Sequence, residues 1–191
     1  MVSNSFLFRL QQWDLAVVRK WNIILKNSSY QNLVKWTSPW FSAWHILTFG
    51  LIFTYIGVTT DNYYALKHFF GTICFGMLLF SSIKYLVRRK RPYMDQQGVE
   101  RLDYWQGHYS FPSGHSFWFS LTLLFVTNFW GIPWWGIIGF FLFSIIMSLE
   151  RILLGMHYPT DLIVGHSLAL IVFLCYFPVF SVLWLWILAL F

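Results

Sequence analysis

The chain has 191 residues, of which 58% are hydrophobic and only 10% charged, and its mean hydropathy is +0.57. Soluble domains carry about a quarter charged residues, so this composition excludes an ordinary water-soluble globule and places one compact unit in a bilayer. The formal charge of +6 is not a nucleic-acid footprint, because the cations lie in short segments between apolar runs, where they meet anionic headgroups or an anionic substrate.

Residues 1–30 interrupt their apolar positions with Arg9, Asp14, Arg19 and Lys20, so no signal-peptide core is expected there. Residues 5–26 read as an amphipathic helix, with Phe6, Leu10, Trp13, Val17 and Ile24 at helical spacing and Arg9, Arg19, Lys20 and Lys26 among the polar positions. Two placements are open for it: flat in the membrane interface, or packed on the protein itself.

Apolar runs follow at 41–59, 65–87, 113–130, 133–154 and 161–177. About twenty apolar residues cross the hydrocarbon core, and only helices satisfy their own backbone there without a closed barrel. The expected architecture is therefore an all-α polytopic bundle of five transmembrane helices. A sixth is left open, because 178–191 is apolar but short and either extends the fifth helix or lies against the bundle. The chain reads as one domain, with 1–40 as the amphipathic N-terminal segment, 41–177 as the catalytic bundle and 178–191 as the C-terminal extension. Cys74 and Cys175 fall inside apolar runs and are expected as small buried hydrophobes.

Alternation of span direction carries most of the functional argument. The second span ends at Lys84 to Pro92, and the third begins at Pro112-Ser113-Gly114-His115. The fourth ends at Glu150-Arg151, and the fifth begins near His157 and Asp161. An end, a start, an end and a start all reach one membrane face, so nearly every unusual polar residue converges there. Ionisable groups at membrane depth are costly and mark function by default. Lys84, Arg91 and Arg151 suit phosphate oxygens. Ser113 adds a hydroxyl, Gly114 permits close approach, and a helix opening at this point presents free N–H groups to an anion. Asp161, four residues after His157, is placed to take one ring proton and leave the other ring nitrogen nucleophilic.

Lys84-x6-Arg91-Pro92, Pro112-Ser113-Gly114-His115 and Arg151-x5-His157-x3-Asp161 together resemble the three signature motifs of the type 2 phosphatidic acid phosphatase superfamily. The resemblance covers about residues 40–177 and implies hydrolysis of a lipid phosphate or diphosphate without metal or other cofactor. By it, His157 attacks phosphorus to form a phosphohistidine, Asp161 holds its ring and His115 protonates the leaving oxygen. Lys84, Arg91, Ser113, Gly114 and Arg151 hold the phosphate oxygens. Glu150 stands where the family commonly has a serine, which puts that serine's phosphate contact in doubt.

The implied partners are the bilayer and a membrane lipid phosphate. Undecaprenyl pyrophosphate or a phospholipid phosphate is preferred on the compactness of the chain, with lipid A phosphates and phosphotransfer between lipids as alternatives. An anion or lipid transporter is the reading from another class, and the absence of broken helices speaks against it. His45, His68 and His166 are expected to pack, while His108 lies in the long loop near the site, where substrate contact is the minor of its readings. Arg88, Arg89 and Lys90 are expected as a headgroup anchor, and Asp95, Glu100 and Asp103 lack metal-ligand spacing. The expected location is the plasma (inner) membrane. Every Lys and Arg except Lys67 falls on the site's side, which by the positive-inside rule favours the cytoplasm. The bacterial relatives in the resembled family favour the outer side, and the balance leans slightly outward.

Overall fold

The computed structural model describes residues 3–38, 43–95, 98–103 and 107–188. Gln97 and 189–191 lie outside the described residues, as do the side chains of His45 and Asp95. The elements are α1 (Ser3–Lys26), α2 (Gln31–Thr37), α3 (Ala43–Thr59), α4 (Tyr63–Val87), the one-turn α5 (Pro92–Asp95), α6 (Gly114–Trp130), α7 (Trp134–Leu153) and α8 (Pro159–Leu188). Among the described residues there is no strand, only an isolated bridge between Lys90 and Tyr109.

Local chemistry sets the helix ends. The Asn62 side chain accepts from Ala65 N at 3.1 Å and caps α4, satisfying one of its orphan donors. Arg88, in the left-handed region at φ 51°, ends α4 by returning its N–H to the Lys84 carbonyl. Gly131, at φ 57°, stops α6 where a side chain would be strained. α8 opens with Pro159 in its first position, and Asp161 Oδ2 reaches back to accept from Tyr158 N at 2.9 Å. This is the carboxylate half of a capping box.

Three stretches are long and apolar enough to cross a membrane: Tyr63–Val87, Trp134–Leu153 and Pro159–Tyr176. α3 contributes a shorter apolar stretch, Thr48–Thr59, and α6 has 17 residues. α8 continues through Pro178 to Leu188 as one helix of 30 residues, roughly 45 Å at 1.5 Å per residue. The C-terminal extension therefore prolongs the fifth long apolar helix as far as it is described.

α6 sits at the centre, packed on α8 and α7 and touching α4. Phe117, Trp118 and Leu121 of α6 meet Leu168, Ala169 and Val172 of α8 in one core cluster, and Phe53, Phe69 and Phe125 join α3, α4 and α6 in another. Small groups let α6 and α8 approach closely. A Cβ added at Gly165 would stand 2.7 Å from the Ser113 carbonyl oxygen, and Ser113 N donates to Asp161 O at 3.0 Å. One contact thus ties the start of α6 to the start of α8.

α1 packs on α7 and α8, and only in part through the stripe that periodicity picks out. Its buried residues are Asp14, Val18, Asn22 and Leu25, whereas Phe6, Trp13 and Ile24 are exposed and Val17 packs partly buried against the Val18 cluster. Most of the apolar stripe faces outward and a mixed polar stripe faces the protein, because Asp14 and Asn22 find backbone and side-chain partners there. Asn22 accepts from Glu100 N at 2.8 Å and donates to Leu153 O at 2.9 Å. Both cysteines are exposed on the outer faces of α4 and α8 rather than buried, correcting that expectation: in an apolar solvent, an apolar run need not mark the core. His68 packs as expected, among the rings of Tyr64, Phe129 and Tyr176.

Candidate active site

The long connection from Arg88 to Pro112 is pinned down on the α7–α8 link. Tyr93 N donates to Gly155 O at 3.3 Å and Leu102 N to Leu154 O at 3.2 Å, burying Val99 and Leu102. The link itself is a tight turn, with Met156 N and His157 N both donating to Arg151 O and Gly155 at φ 71°. A Cβ at Gly155 would stand 2.7 Å from Glu100 O, so this turn needs glycine for both conformation and space.

Each residue singled out in the sequence falls at one end of a helix. Lys84 lies in the last turn of α4, and its Nζ donates to Pro112 O at 3.3 Å over the Phe80 ring. Arg91 is buried, and its Nη1 donates to Met156 O at 3.3 Å, beside His157 in sequence. Ser113 is the N-cap of α6, fully buried, and its Oγ has no hydrogen-bond partner among the described residues. Gly114 and His115 form the first turn of α6. His157 lies in the link before α8 and is 3% exposed.

His157 and Asp161 do not share a helical turn, because α8 begins only at Pro159. His157 Nδ1 stands 3.6 Å from Asp161 Oδ2, facing it but beyond hydrogen-bond length. The carboxylate is held from both sides: Oδ2 takes the Tyr158 N–H, and Oδ1 takes Arg89 Nη1 at 2.7 Å. Burial depresses the His157 pKa well below its usual value, and the charges of Arg91, Lys84 and Arg151 push the same way against a contact with the Ser110 backbone. Three cations from three segments therefore act on one buried imidazole and disfavour its protonation. The Arg91 pKa is itself lowered, first by burial.

Arg151 is turned away from the role that forked phosphate binding would give it. Its Nη1 donates to Ser38 Oγ and Asp103 Oδ2, both at 3.0 Å, and its Nη2 to Ser38 O and Glu150 Oε2, both at 3.2 Å. Only Nε is buried without a partner. Glu150, in the place of the expected serine, thus tethers Arg151 and also accepts from Thr37 Oγ1 at 3.4 Å. Asp103 belongs to this cage; among the described residues, no group of three His, Cys, Asp or Glu is placed to hold a metal ion.

Two residues depart from their sequence reading. Arg89 is an inward ion pair and not a headgroup anchor: it bridges Asp161 and Asp14 at 2.7 Å each and lies 3.8 Å over the Tyr158 ring. Burial works against its charge, but Asp161 and Asp14 outweigh that and raise its pKa. The signal missed was Asp14 itself, an acidic residue on the buried side of an otherwise basic helix. His166 does not merely pack. It bonds Ser120 Oγ at 2.6 Å and Ser148 Oγ at 3.2 Å, and Ser148 meets Ser116 at 2.9 Å, linking α6, α7 and α8. His108 stays exposed in its loop.

The fold has solved counterparts. It matches the crystal structure of Aquifex aeolicus LpxE with a TM-score of 0.66 and 19% identity over 83% of this chain and 92% of that one. It also matches the crystal structure of the first transmembrane PAP2 type phosphatidylglycerolphosphate phosphatase from Bacillus subtilis, with a TM-score of 0.65 and 17% identity over 91% of this chain and 87% of that one. No curated protein sequence matches the chain. The PAP2 superfamily profile spans residues 65–186, α4 through α8 with every motif residue inside it, and the chain belongs to the PAP2 superfamily.

Proposed function

We propose that the protein is a membrane lipid phosphate phosphatase that works through a phosphohistidine on His157. The observation carrying this reading is the buried His157 imidazole facing Asp161 Oδ2 at 3.6 Å, tied by the α6–α8 contact to a helix start whose Ser113 hydroxyl is buried and unpartnered among the described residues. Cations that keep an imidazole unprotonated also attract a phosphate dianion beside it.

In the first step His157 Nε2 attacks phosphorus while Nδ1 faces Asp161. The P–N bond forms as the P–O ester bond breaks. The bond's electron pair leaves with the lipid oxygen, which takes a proton from His115. Water then gives a proton to His115 and attacks phosphorus, the P–N bond breaks, and phosphate departs. Lys84, Arg91, the Ser113 hydroxyl and the free N–H groups at Gly114 offset the oxyanion charge, with Arg151 contributing field and its Nε. None of these steps requires a metal.

A lipid substrate is supported by the setting. The candidate site lies at the ends of long apolar helices, and α1 turns Phe6, Trp13 and Ile24 outward, as a helix in the membrane interface does. An apolar cavity of about 470 Å³ lies between α1, α7 and α8, bounded by Pro159 and Leu162 close to His157 and Asp161, within the size range of ligand pockets. Phosphatidylglycerophosphate, after the Bacillus subtilis neighbour, and undecaprenyl pyrophosphate, after the family resemblance, are the first substrates to assay. We place the chain in the plasma membrane with α3, α4, α6, α7 and α8 spanning it and the site at the outer face. Labelling of a Gln97→Cys variant from outside intact cells tests the side.

Purified protein in detergent with excess chelator should release phosphate from one of these lipids, and His157→Ala should abolish release while the protein stays folded. Full activity of His157→Ala, or strict need for a divalent ion, removes the reading. Free phosphate rather than a phosphorylated acceptor separates hydrolysis from transfer.

A further inference from the structure

We propose that Asp14, on the N-terminal helix outside the PAP2-matched segment, is a positioning residue of the active site: through Arg89 it fixes the Asp161 carboxylate beside His157. This rests on the phosphohistidine reading of that site.

Asp14 is 1% exposed, and such a carboxylate is costly unless fully paired. Its partners all belong to the start of α8 or to the residue that grips it. Oδ1 accepts from Thr160 N at 3.0 Å. Oδ2 accepts from Thr160 Oγ1 at 2.5 Å and from Arg89 Nη2 at 2.7 Å. Arg89 Nη1 in turn donates to Asp161 Oδ1 and Thr160 Oγ1, both at 2.7 Å. The planar guanidinium therefore forks between two carboxylates, one from α1 and one from the site, and is held flat over the Tyr158 ring. A fork fixed at one prong fixes the other, which is the geometric advantage of arginine over lysine.

Asp161 needs such support, since His157 Nδ1 at 3.6 Å is too far to orient it by a hydrogen bond. Its direction is set by Tyr158 N on one oxygen and Arg89 on the other, with the Ser110 side chain as a further contact. Asp14 also takes up the Thr160 N–H in the first turn of α8, a donor with no partner inside the helix. Two carboxylates at this helix start sit where the helix dipole favours negative charge.

Mere attachment of α1 is a different role, and the molecule provides its control. Asn22, two turns further along the same buried stripe, ties α1 to Glu100 and Leu153 and touches neither Arg89 nor Asp161. The test compares kcat, KM and thermal unfolding for Asp14→Asn, Asn22→Ala, Arg89→Gln and the Asp14→Asn/Arg89→Gln double variant on a lipid phosphate hydrolysed by the wild type. Asp14→Asn should lower kcat by about tenfold to a hundredfold with KM within about twofold, as loss of an orienting partner does. Asn22→Ala should lower the unfolding temperature with kcat unchanged. The double variant should be no slower than the slower single one, because both act through one fork. Should Asp14→Asn fail to fold, Arg89→Lys takes its place, since a lysine keeps the charge but loses the rigid fork that fixes one carboxylate against the other, and the same loss confined to kcat is expected. Unchanged kcat in Asp14→Asn or its substitute, additive losses in the double variant, or an equal kcat loss in Asn22→Ala overturns the proposal. Wild-type phosphate release that survives His157→Ala overturns the phosphohistidine reading and this inference with it.

Discussion

Replacing Gly165 by alanine tests whether the α6–α8 contact sets the spacing of the catalytic groups. The new Cβ would stand 2.7 Å from Ser113 O and 2.9 Å from Ser116 Cβ. Ordinary contact begins near 3.4 Å, so the helices must part by several tenths of an ångström at the point where Ser113 N meets Asp161 O. The obstacle is backbone, which cannot swing aside as a side-chain end does. Overpacking of this kind costs about 1–3 kcal/mol, worth roughly 2–10 °C in unfolding temperature for a chain of this size. The same displacement moves Ser113 and His115 away from His157 and Asp161, and misplacement approaching 1 Å costs on the order of a hundredfold in rate. Gly139→Ala in α7 is the internal control, since no atom lies within 4 Å of its added Cβ, and alanine there should be neutral or slightly stabilising. The assay is thermal unfolding in detergent together with phosphate release. If Gly165→Ala matched Gly139→Ala in both, the spacing argument would be wrong.

Removing the unpartnered Ser113 hydroxyl should separate activity from stability. Ser113→Ala breaks no hydrogen bond among the described residues, so its unfolding temperature should hold or rise slightly while phosphate release falls about tenfold. The acid limb of kcat/KM should lie below pH 6.5, because the depressed His157 pKa keeps the nucleophile neutral until pH falls through that lowered value. Taking away the Arg91 charge with Arg91→Gln should move that limb upward, whatever it does to the rate; an unmoved limb in a pH–rate series would refute the assignment. His157's contribution to stability is present in full above pH 6.5 and declines as pH falls below it, since only the unfolded chain takes up the proton there. Asp103→Ala should destabilise by about 1–3 kcal/mol, measured by unfolding, because it strips one carboxylate from the Arg151 cage, where both side chains are 2% exposed, and leaves Glu150 as the remaining carboxylate partner.

The motif residues were legible in the chain because their chemistry conflicts with their surroundings. Lys84, Arg151, His157 and Asp161 stand out at the ends of apolar runs, Arg91 closes a basic run directly before Pro92, and alternation of helix direction puts these ends on one side. Arg89, Asp14 and His166 were not legible, for a shared reason: each works through a partner distant in sequence. Arg89 sits in a basic run that looks like any headgroup anchor, and nothing local says that its guanidinium turns inward. The facing of α1 was left open in the sequence for a related cause. Periodicity marks an apolar stripe, but where the solvent is lipid the apolar stripe faces out, and a polar stripe goes inward if it finds partners, as Asp14 and Asn22 do.

Composition and helical period, which depend on neighbours along the chain, sufficed by themselves for an all-helical membrane-type bundle whose unusual polar residues gather at helix ends. Only tertiary packing decided which cations face His157, that Arg151 spends its fork on Ser38, Asp103 and Glu150, and that Asp161 is steadied from α1. Those choices depend on how close two helices can come, which the missing Cβ of Gly165 sets, and on which buried donor lies nearest each buried acceptor.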